Sequence, residues 1–149
     1  MNIDQLVKHV KWAEGTGPYH EDTDTYHLYE DSVGKQTIGF GHNIEDRGLD
    51  ADVVEHQLRN DINHALSDCR SLDYWDGLDD ARKLVVADMV FNMGLPTYKK
   101  FKLFESALRL GDYTLAANEM QDSLWFRQTG RRPRKLVRVM RTGHWVTTE

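Results

Sequence analysis

Tyr29-Glu30-Asp31-Ser32-Val33-Gly34-Lys35-Gln36-Thr37-Ile38-Gly39-Phe40-Gly41-His42 lies in the only β region predicted for this chain, residues 16–42, and it decides the fold class. Asp31-Ser32-Val33-Gly34 puts Asp first and Gly fourth, as a type I turn prefers. Strands are predicted on either side of that turn, over residues 26–30 and 36–40. Gly, Pro, Asp and Tyr dominate the wider stretch 16–42, which reads as a small hairpin or meander.

Everything around this stretch predicts helix. Asn2 with Gln5 three places later reads as a capping box, and Ile3, Leu6, Val7, Val10 and Ala13 follow helical spacing. Gly15, Gly17 and Pro18 stop that helix and leave Glu14 at its C-terminal end. From Asp50 the helical period returns, with Val54, Leu58, Ile62, Ala65 and Leu66 on one stripe of a long helix that is expected to bridge two lobes. Residues 79–93 are apolar nearly all round in their second half and predict a buried central helix, Phe91 included. Pro96 is expected to open a further helix with Phe101, Phe104 and Leu108 inward and Gly111 at its end. Asp112 caps the next, which carries Leu115, Ala116 and Met120. A last helix is expected over roughly 132–140, with Leu136, Val137, Val139 and Met140 inward. The class is therefore α+β: a small lobe with a β-hairpin, then a larger helical lobe.

Composition narrows the function. A chain of 149 residues fits one domain and leaves little room for two independent cores. Its 40% hydrophobic residues, with four Trp, six Tyr and five Phe, suffice for a core and argue against disorder. Cys69 is the only cysteine, so no intramolecular disulfide can form, which fits a reducing compartment. Lys8, His9 and Lys11 interrupt the first apolar residues, so no secretory leader is expected, and no window approaches the ~18 apolar residues of a membrane span. The formal charge is −5, which does not suit a general nucleic-acid binder. Arg127, Arg131, Arg132, Arg134, Lys135, Arg138 and Arg141 nevertheless make 127–141 basic. That segment reads as a solvated helix face that can attract an anionic partner.

Two carboxyl groups across a scissile bond are the usual equipment for glycoside hydrolysis, one protonated and one ionised. The negative end of a helix favours the protonated form of a carboxyl beside it, which suits Glu14 to the acid role. Asp31 sits in a turn, where solvent and backbone N–H groups favour its ionised form. Glu14-Gly15, the run 29–42, Met89-Val90-Phe91-Asn92-Met93-Gly94, Trp125-Phe126 with Gln128-Thr129, and Arg141-Thr142-Gly143 stand in order along the chain. On these motifs, from about Asn2 to Trp145, the chain resembles the phage-type lysozymes, the endolysins of glycoside hydrolase family 24.

The resemblance implies one lysozyme-like catalytic domain over 1–149, with a β-containing lobe at about 14–50 and a helical lobe at about 70–149 that includes the N-terminal helix. It implies a muramidase that hydrolyses the β-1,4 bond between N-acetylmuramic acid and N-acetylglucosamine in peptidoglycan, with inversion. The family's catalytic Glu, Asp and Thr match Glu14, Asp31 and Thr37. In the implied roles Glu14 protonates the leaving oxygen, Asp31 takes a proton from a water on the far face of the sugar, and the Thr37 hydroxyl helps hold that water. Asn92 and Arg132 are the implied substrate contacts, and no metal or cofactor is required. The implied partners are peptidoglycan glycan strands, with no nucleic acid and no stable membrane insertion, and a monomer is expected. The implied setting is the cytoplasm of an infected Gram-negative host, followed by release through a holin.

Two departures from the family pattern stand out. Glu14 and Asp31 are 17 positions apart, longer than the family's connection, with the extra residues in 16–28. Asp22 and Asp24 lie nearer the family's distance from Glu14, but Asp31 alone keeps the spacing to Gly34 and Thr37. Gly130-Arg131-Arg132-Pro133-Arg134 also departs from the family's Pro-x-Arg-Ala pattern; alignment back from Arg141-Thr142-Gly143 selects Arg132, with Arg131 one register away.

His42 is expected to be structural, hydrogen-bonded near the hairpin. His20, Glu21, Asp22, Asp24 and His27 match no zinc spacing, and an EF-hand counted from Asp22 would need Glu where Val33 stands. Those residues read as a solvated loop. Trp125 and Phe126 read as core. Two functional rivals are a lytic transglycosylase using Glu14 alone, against which Asp31 and Thr37 argue, and a catalytically inactive wall-binding or regulatory module, against which the presence of Glu14, Asp31 and Thr37 together argues.

Overall fold

A computed structural model of the chain describes residues 2–128 and 130–145, with the backbone alone of Gln128. Two compact units are present, Met1–Glu55 and His56–Glu149.

The first unit opens with α1 (Ile3–Glu14), where Asn2 Oδ1 accepts from the N–H groups of Asp4 at 3.0 Å and Gln5 at 3.3 Å. These bonds satisfy two of the amides that a helix start leaves without partners. β1 (Tyr19–His20) and β2 (Thr25–Tyr26) then form a two-stranded antiparallel hairpin with Tyr19 opposite Tyr26. β3 (Tyr29–Glu30), β4 (Gln36–Ile38) and β5 (His42–Asn43) follow as an antiparallel meander, with Thr37 opposite Tyr29 on one side and Asn43 on the other. The strand expected over 26–30 is thus broken in two. Tyr26 pairs with Tyr19 of β1, a register that the His27 N–H continues onto the Pro18 carbonyl at 2.8 Å, whereas Tyr29 pairs with Thr37 of the following strands. The residues expected to be a solvated loop are exposed, yet they belong to the ordered β1–β2 hairpin. α2 (Ile44–Arg47) closes the meander, capped by Asn43 Oδ1 on the Asp46 N–H at 3.0 Å.

α3 (Ala51–Arg70) contains the division between the units in its first turns. Its apolar stripe is buried only towards the C-terminal end, at Ala65 and Cys69, while Val54, Leu58 and Ile62 are exposed. Burial pushes the Cys69 thiol up to about 11.

The second unit continues through a 3₁₀ turn at Trp75–Gly77 into α4 (Asp80–Met93), α5 (Leu95–Tyr98), α6 (Lys102–Leu110), α7 (Tyr113–Gln121), α8 (Leu124–Gln128) and α9 (Arg131–Thr142). α7 packs on α6 and α9, and α4 packs on α9. Val85, Val86, Met89 and Val90 of α4 are buried with Leu136, Val137, Val139 and Met140 of α9, as the α9 pattern predicts. Two expectations are corrected. The helix from Pro96 is two helices, because Phe101 takes ψ 62 and starts α6 anew. Phe91 is 39% exposed, so the buried face of α4 lies on Val85, Val86, Met89 and Val90 instead. A helix apolar all round does not itself say which side its neighbours will cover.

Arg82 ties α4 to the end of α9. Its Nε donates to the Met140 carbonyl at 2.9 Å, and its guanidinium carbon lies 3.7 Å from the Tyr113 ring centroid. Gly143 follows α9 in the left-handed conformation, φ 71 and ψ 13, and a Cβ there would sit 2.8 Å from Arg82 Nη1. The glycine of Arg141-Thr142-Gly143 therefore ends a helix beside a guanidinium.

Large losses of stability are expected from the core of this unit. Phe104 is 1% exposed and meets Tyr98 edge-on, with centroids 6.0 Å apart and planes at 85°. Phe104→Ala should cost ~3–5 kcal/mol in urea unfolding, and Phe91→Ala distinctly less. Equal losses would show that Phe91 is packed as tightly as Phe104.

A buried polar network lies beside Phe104. Tyr74 donates to Glu105 Oε2 at 3.0 Å, so the 2.7 Å contact between the two hydroxyls has Tyr98 donating to Tyr74. Arg109 lies 3.5 Å from Glu105 Oε2 and grips Asp73 through Nε and Nη2 at 2.9–3.1 Å. Burial, above all, raises both phenols above their ordinary 10.0. A raised folded-state value gives stability that is complete below the unfolded value and lost as pH rises past it. The melting temperature should therefore fall as pH rises above about 10, and Tyr98→Phe should lessen that fall. An alkaline fall unaltered in Tyr98→Phe would place its cause elsewhere.

Candidate active site

Glu14 is the last residue of α1, and Gly15, at φ 71, turns the chain out of the helix. Its carboxyl lies against Gly41: a Cβ built there would stand 2.8 Å from Glu14 Oε2 and 3.0 Å from Cδ. Gly41 also has φ +79, so both its space and its backbone angle call for glycine. The second glycine of the Gly39-Phe40-Gly41 run is thus where the backbone makes room for the acid.

Asp31 is fixed by its own turn. Its Oδ1 accepts from the N–H groups of Val33 at 2.9 Å and Lys35 at 2.8 Å, and its N–H donates to the Lys35 carbonyl at 2.9 Å. The Gly34 N–H closes the turn on the Asp31 carbonyl at 3.1 Å. Oδ2 has no hydrogen-bond partner among the described residues, which leaves one carboxylate oxygen for a further ligand. Thr37 occupies the central strand of the meander and is 2% exposed. Its hydroxyl donates to the Lys35 carbonyl at 2.9 Å, so towards any other group this oxygen acts as an acceptor.

Lys35 is the residue that the motif reading missed. Its N–H and carbonyl fix Asp31 and Thr37, and its ammonium is held by Glu45 at 2.9 Å and Asp46 at 3.0 Å at the start of α2. The hydrogen bonds to Glu45 and Asp46 raise the Lys35 pKa, and the bond from Lys35 holds Asp46 below the usual carboxylate range. A signal was present in the sequence only as a basic residue four places after Asp31 and an acidic pair at 45–46. The contact that matters is made by backbone, which side-chain patterns do not show.

The neighbouring histidine is structural, as expected: His42 Nε2 lies 2.6 Å from the Gly48 carbonyl and must be the donor in that bond. In the hairpin, the His20 and His27 rings stack at 3.9 Å and Tyr19 donates to Asp24 Oδ1. That bond, foremost, raises the Tyr19 pKa. No group of three or more His, Cys, Asp or Glu side chains among the described residues is placed to hold a metal ion.

Glu14, Asp31 and Thr37 all lie in the first unit; Asn92 and Arg132 lie in the second. Asn92 Oδ1 accepts from Trp125 Nε1 at 3.0 Å, so the buried indole fixes the orientation of this amide. Arg132, in the first turn of α9, donates to Asp88 at 2.7 Å. Arg132 and Asp88 line an apolar cavity of about 290 Å³ with Leu58, Phe91 and Trp145, and Asn92 is not among its lining residues. The Gln128 side chain and Thr129 of the Gln128-Thr129 motif lie outside the described residues. In the basic segment, Arg131, Arg132, Arg134, Arg138 and Arg141 are exposed above the buried apolar side of α9. No described helix is long and apolar enough to cross a membrane.

The first unit therefore holds a carboxyl group at a helix end against Gly41, and a second carboxyl with one oxygen open that is tied through the Lys35 backbone to a buried strand hydroxyl. These are groups for proton transfer to and from oxygen. The family model described as phage lysozyme matches residues 21–142, a stretch that contains Asp31 and Thr37 and begins after Glu14. The chain is 26% identical over 155 residues to "Probable T4-type lysozyme 2" of Dictyostelium discoideum, covering 83% of this chain and 91% of that protein. It is 25% identical over 154 residues to "Probable T4-type lysozyme 1" of the same organism, with the same coverage. A shorter match, 30% identical over 70 residues, is to the pre-baseplate central spike protein Gp5 of Enterobacteria phage T4 and covers 47% of this chain and 12% of that protein.

Proposed function

The chain belongs to the phage lysozyme family, and from that membership we propose that it is a muramidase hydrolysing the β-1,4 bond from N-acetylmuramic acid to N-acetylglucosamine in peptidoglycan, with inversion. Glu14 gives its proton to the glycosidic oxygen as the bond to the anomeric carbon breaks. Asp31 takes a proton from a water that attacks the same carbon from the opposite face. The water's hydroxyl ends on the muramic acid residue, its second proton on Asp31, and the leaving sugar keeps the proton from Glu14. Thr37 accepts a hydrogen bond from the attacking water. Asn92 and Arg132 are assigned to substrate binding on the resemblance alone.

The observation that carries this reading is the state of Asp31. One oxygen is fixed by the Val33 and Lys35 amides and the other has no hydrogen-bond partner among the described residues, which is how a base for water needs to be held. A transglycosylase uses the substrate's own hydroxyl and has no use for such a group. The proposed setting is the host cytoplasm until late in infection, then the wall of a Gram-negative cell after release through a holin. The test is mass spectrometry of muropeptides after digestion of purified peptidoglycan. Reducing muramic acid ends are expected; anhydro ends would replace hydrolysis by transglycosylation, and no products at all would leave an inactive wall binder.

Gly41 offers a second check on the acid. Gly41→Ala would drive a methyl group into the Glu14 carboxyl, which must move aside. A displacement of that order is expected to reduce kcat about 10²-fold. Wild-type turnover in a folded Gly41→Ala protein would show that the position of Glu14 here is not the working one.

A further inference from the structure

The first unit carries a row of aromatic rings that proton transfer does not use. Phe40, Tyr26 and Tyr19 follow one another with centroids 5.5 and 5.0 Å apart. The row starts one residue before Gly41, the contact of the acid. Phe40 precedes Gly41, against which the Glu14 carboxyl lies, and Lys11, one turn before Glu14 on α1, sets its ammonium 5.1 Å from the Phe40 ring centroid. It ends on the β1–β2 hairpin, where Tyr19 and Tyr26 are cross-strand partners.

These rings do not serve a core. Tyr19 is 37% exposed and Tyr26 39%, and no residue of β1 or β2 is buried. A hairpin of two-residue strands gains little from its own pairing. Side-chain bonds add to that pairing: Tyr19 to Asp24, and Thr25 to His27 at 3.0 Å. The chain thus holds two large rings in place and leaves more than a third of each residue's surface to solvent.

Pyranose sugars match such surfaces. The C–H bonds on a sugar face carry partial positive charge, and an aromatic face is negative. A tyrosine has few rotatable bonds, so little entropy is lost when it is covered. Each step along the row, 5.5 and 5.0 Å, is about the length of one sugar ring.

We propose that Phe40, Tyr26 and Tyr19 form a platform that seats successive sugars of the glycan strand on one side of the bond protonated by Glu14. The identity of the sugar rests on the muramidase reading; the platform itself rests on the ring geometry. In this assignment the residues that lengthen the connection between acid and base extend the substrate contact, and Tyr26 and Tyr19 touch the sugars directly.

The probe is glycan strands freed of peptide by an amidase. In a Glu14→Gln background, where nothing is cut, Tyr26→Leu should weaken calorimetric affinity about tenfold, and Tyr26→Phe should stay within about twofold. With Glu14 intact, Tyr26→Leu should raise KM and leave kcat unchanged. Should Tyr26→Leu fail to fold, titration of the Glu14→Gln protein decides, because the ring protons of Tyr19 and Tyr26 should shift as strands bind. Unchanged affinity in Tyr26→Leu, an equal loss in Tyr26→Phe, or unmoved Tyr19 and Tyr26 resonances at saturation would overturn the platform. Any of these together with reducing ends from the wild-type digest would leave the muramidase reading standing. Shifted ring resonances with no wild-type digestion would overturn the muramidase reading and leave the platform.

Discussion

Glu14→Gln should give a folded protein that clears permeabilised bacteria ~10²–10⁴-fold more slowly than wild type. The amide has the shape of the acid and can keep its place against Gly41, but it has no proton to give the leaving oxygen. Glu14 is exposed at the end of a helix in which no residue is buried, so the fold has little stake in its charge. The change in stability should stay within about 0.5 kcal/mol, as at ordinary surface positions. Turbidity clearance and a thermal melt on the same sample separate the two effects. Near-wild-type clearance by a folded Glu14→Gln protein would remove Glu14 from the mechanism.

Asp31→Asn should be as damaging for the opposite reason. An amide is a poor proton acceptor, and removing a general base is expected to cost ~10²–10⁴-fold in rate. The hydrogen bonds make this a clean substitution. Asn keeps an oxygen to accept from the Val33 and Lys35 amides, so the turn can stay closed while the open oxygen becomes an NH₂. Asp31→Ala lacks that oxygen and should lose stability as well as activity. Activity lost in both variants, with a lower melting temperature in the alanine variant alone, is the expected pattern. A fully active Asp31→Asn protein that yields anhydro ends would sink the hydrolytic mechanism and leave the family assignment in place.

The helices were legible where a cap or a stop is written in one or two residues. Asn2 and Asp112 each accept from a backbone amide at a helix start, and Gly15 and Gly111 end helices with positive φ. Burial was less legible. Phe91 and Met89 lie in the same apolar run, and only the packing of α4 against its neighbours makes one exposed and the other 0% exposed. The β1–β2 hairpin has strands of two residues, too short for alternation to register. Asp31 and Thr37 were readable because their side chains are what the motif specifies. Lys35 was not, because its backbone holds them both. The bonds among Tyr74, Tyr98 and Glu105 join residues 24 and 31 positions apart, beyond the reach of any local pattern.

Cys69 has a practical consequence. The thiolate is the form that maleimides attack, and this thiol is fully buried and raised to about 11, so near neutral pH it offers almost none. As the sole cysteine, it leaves the native protein with no reactive background. A cysteine introduced at the exposed tip of the β1–β2 hairpin, at Asp22 for example, should take up a fluorophore alone and without denaturation. Its emission would then report glycan arriving at one known place, with the native cysteine left where it is.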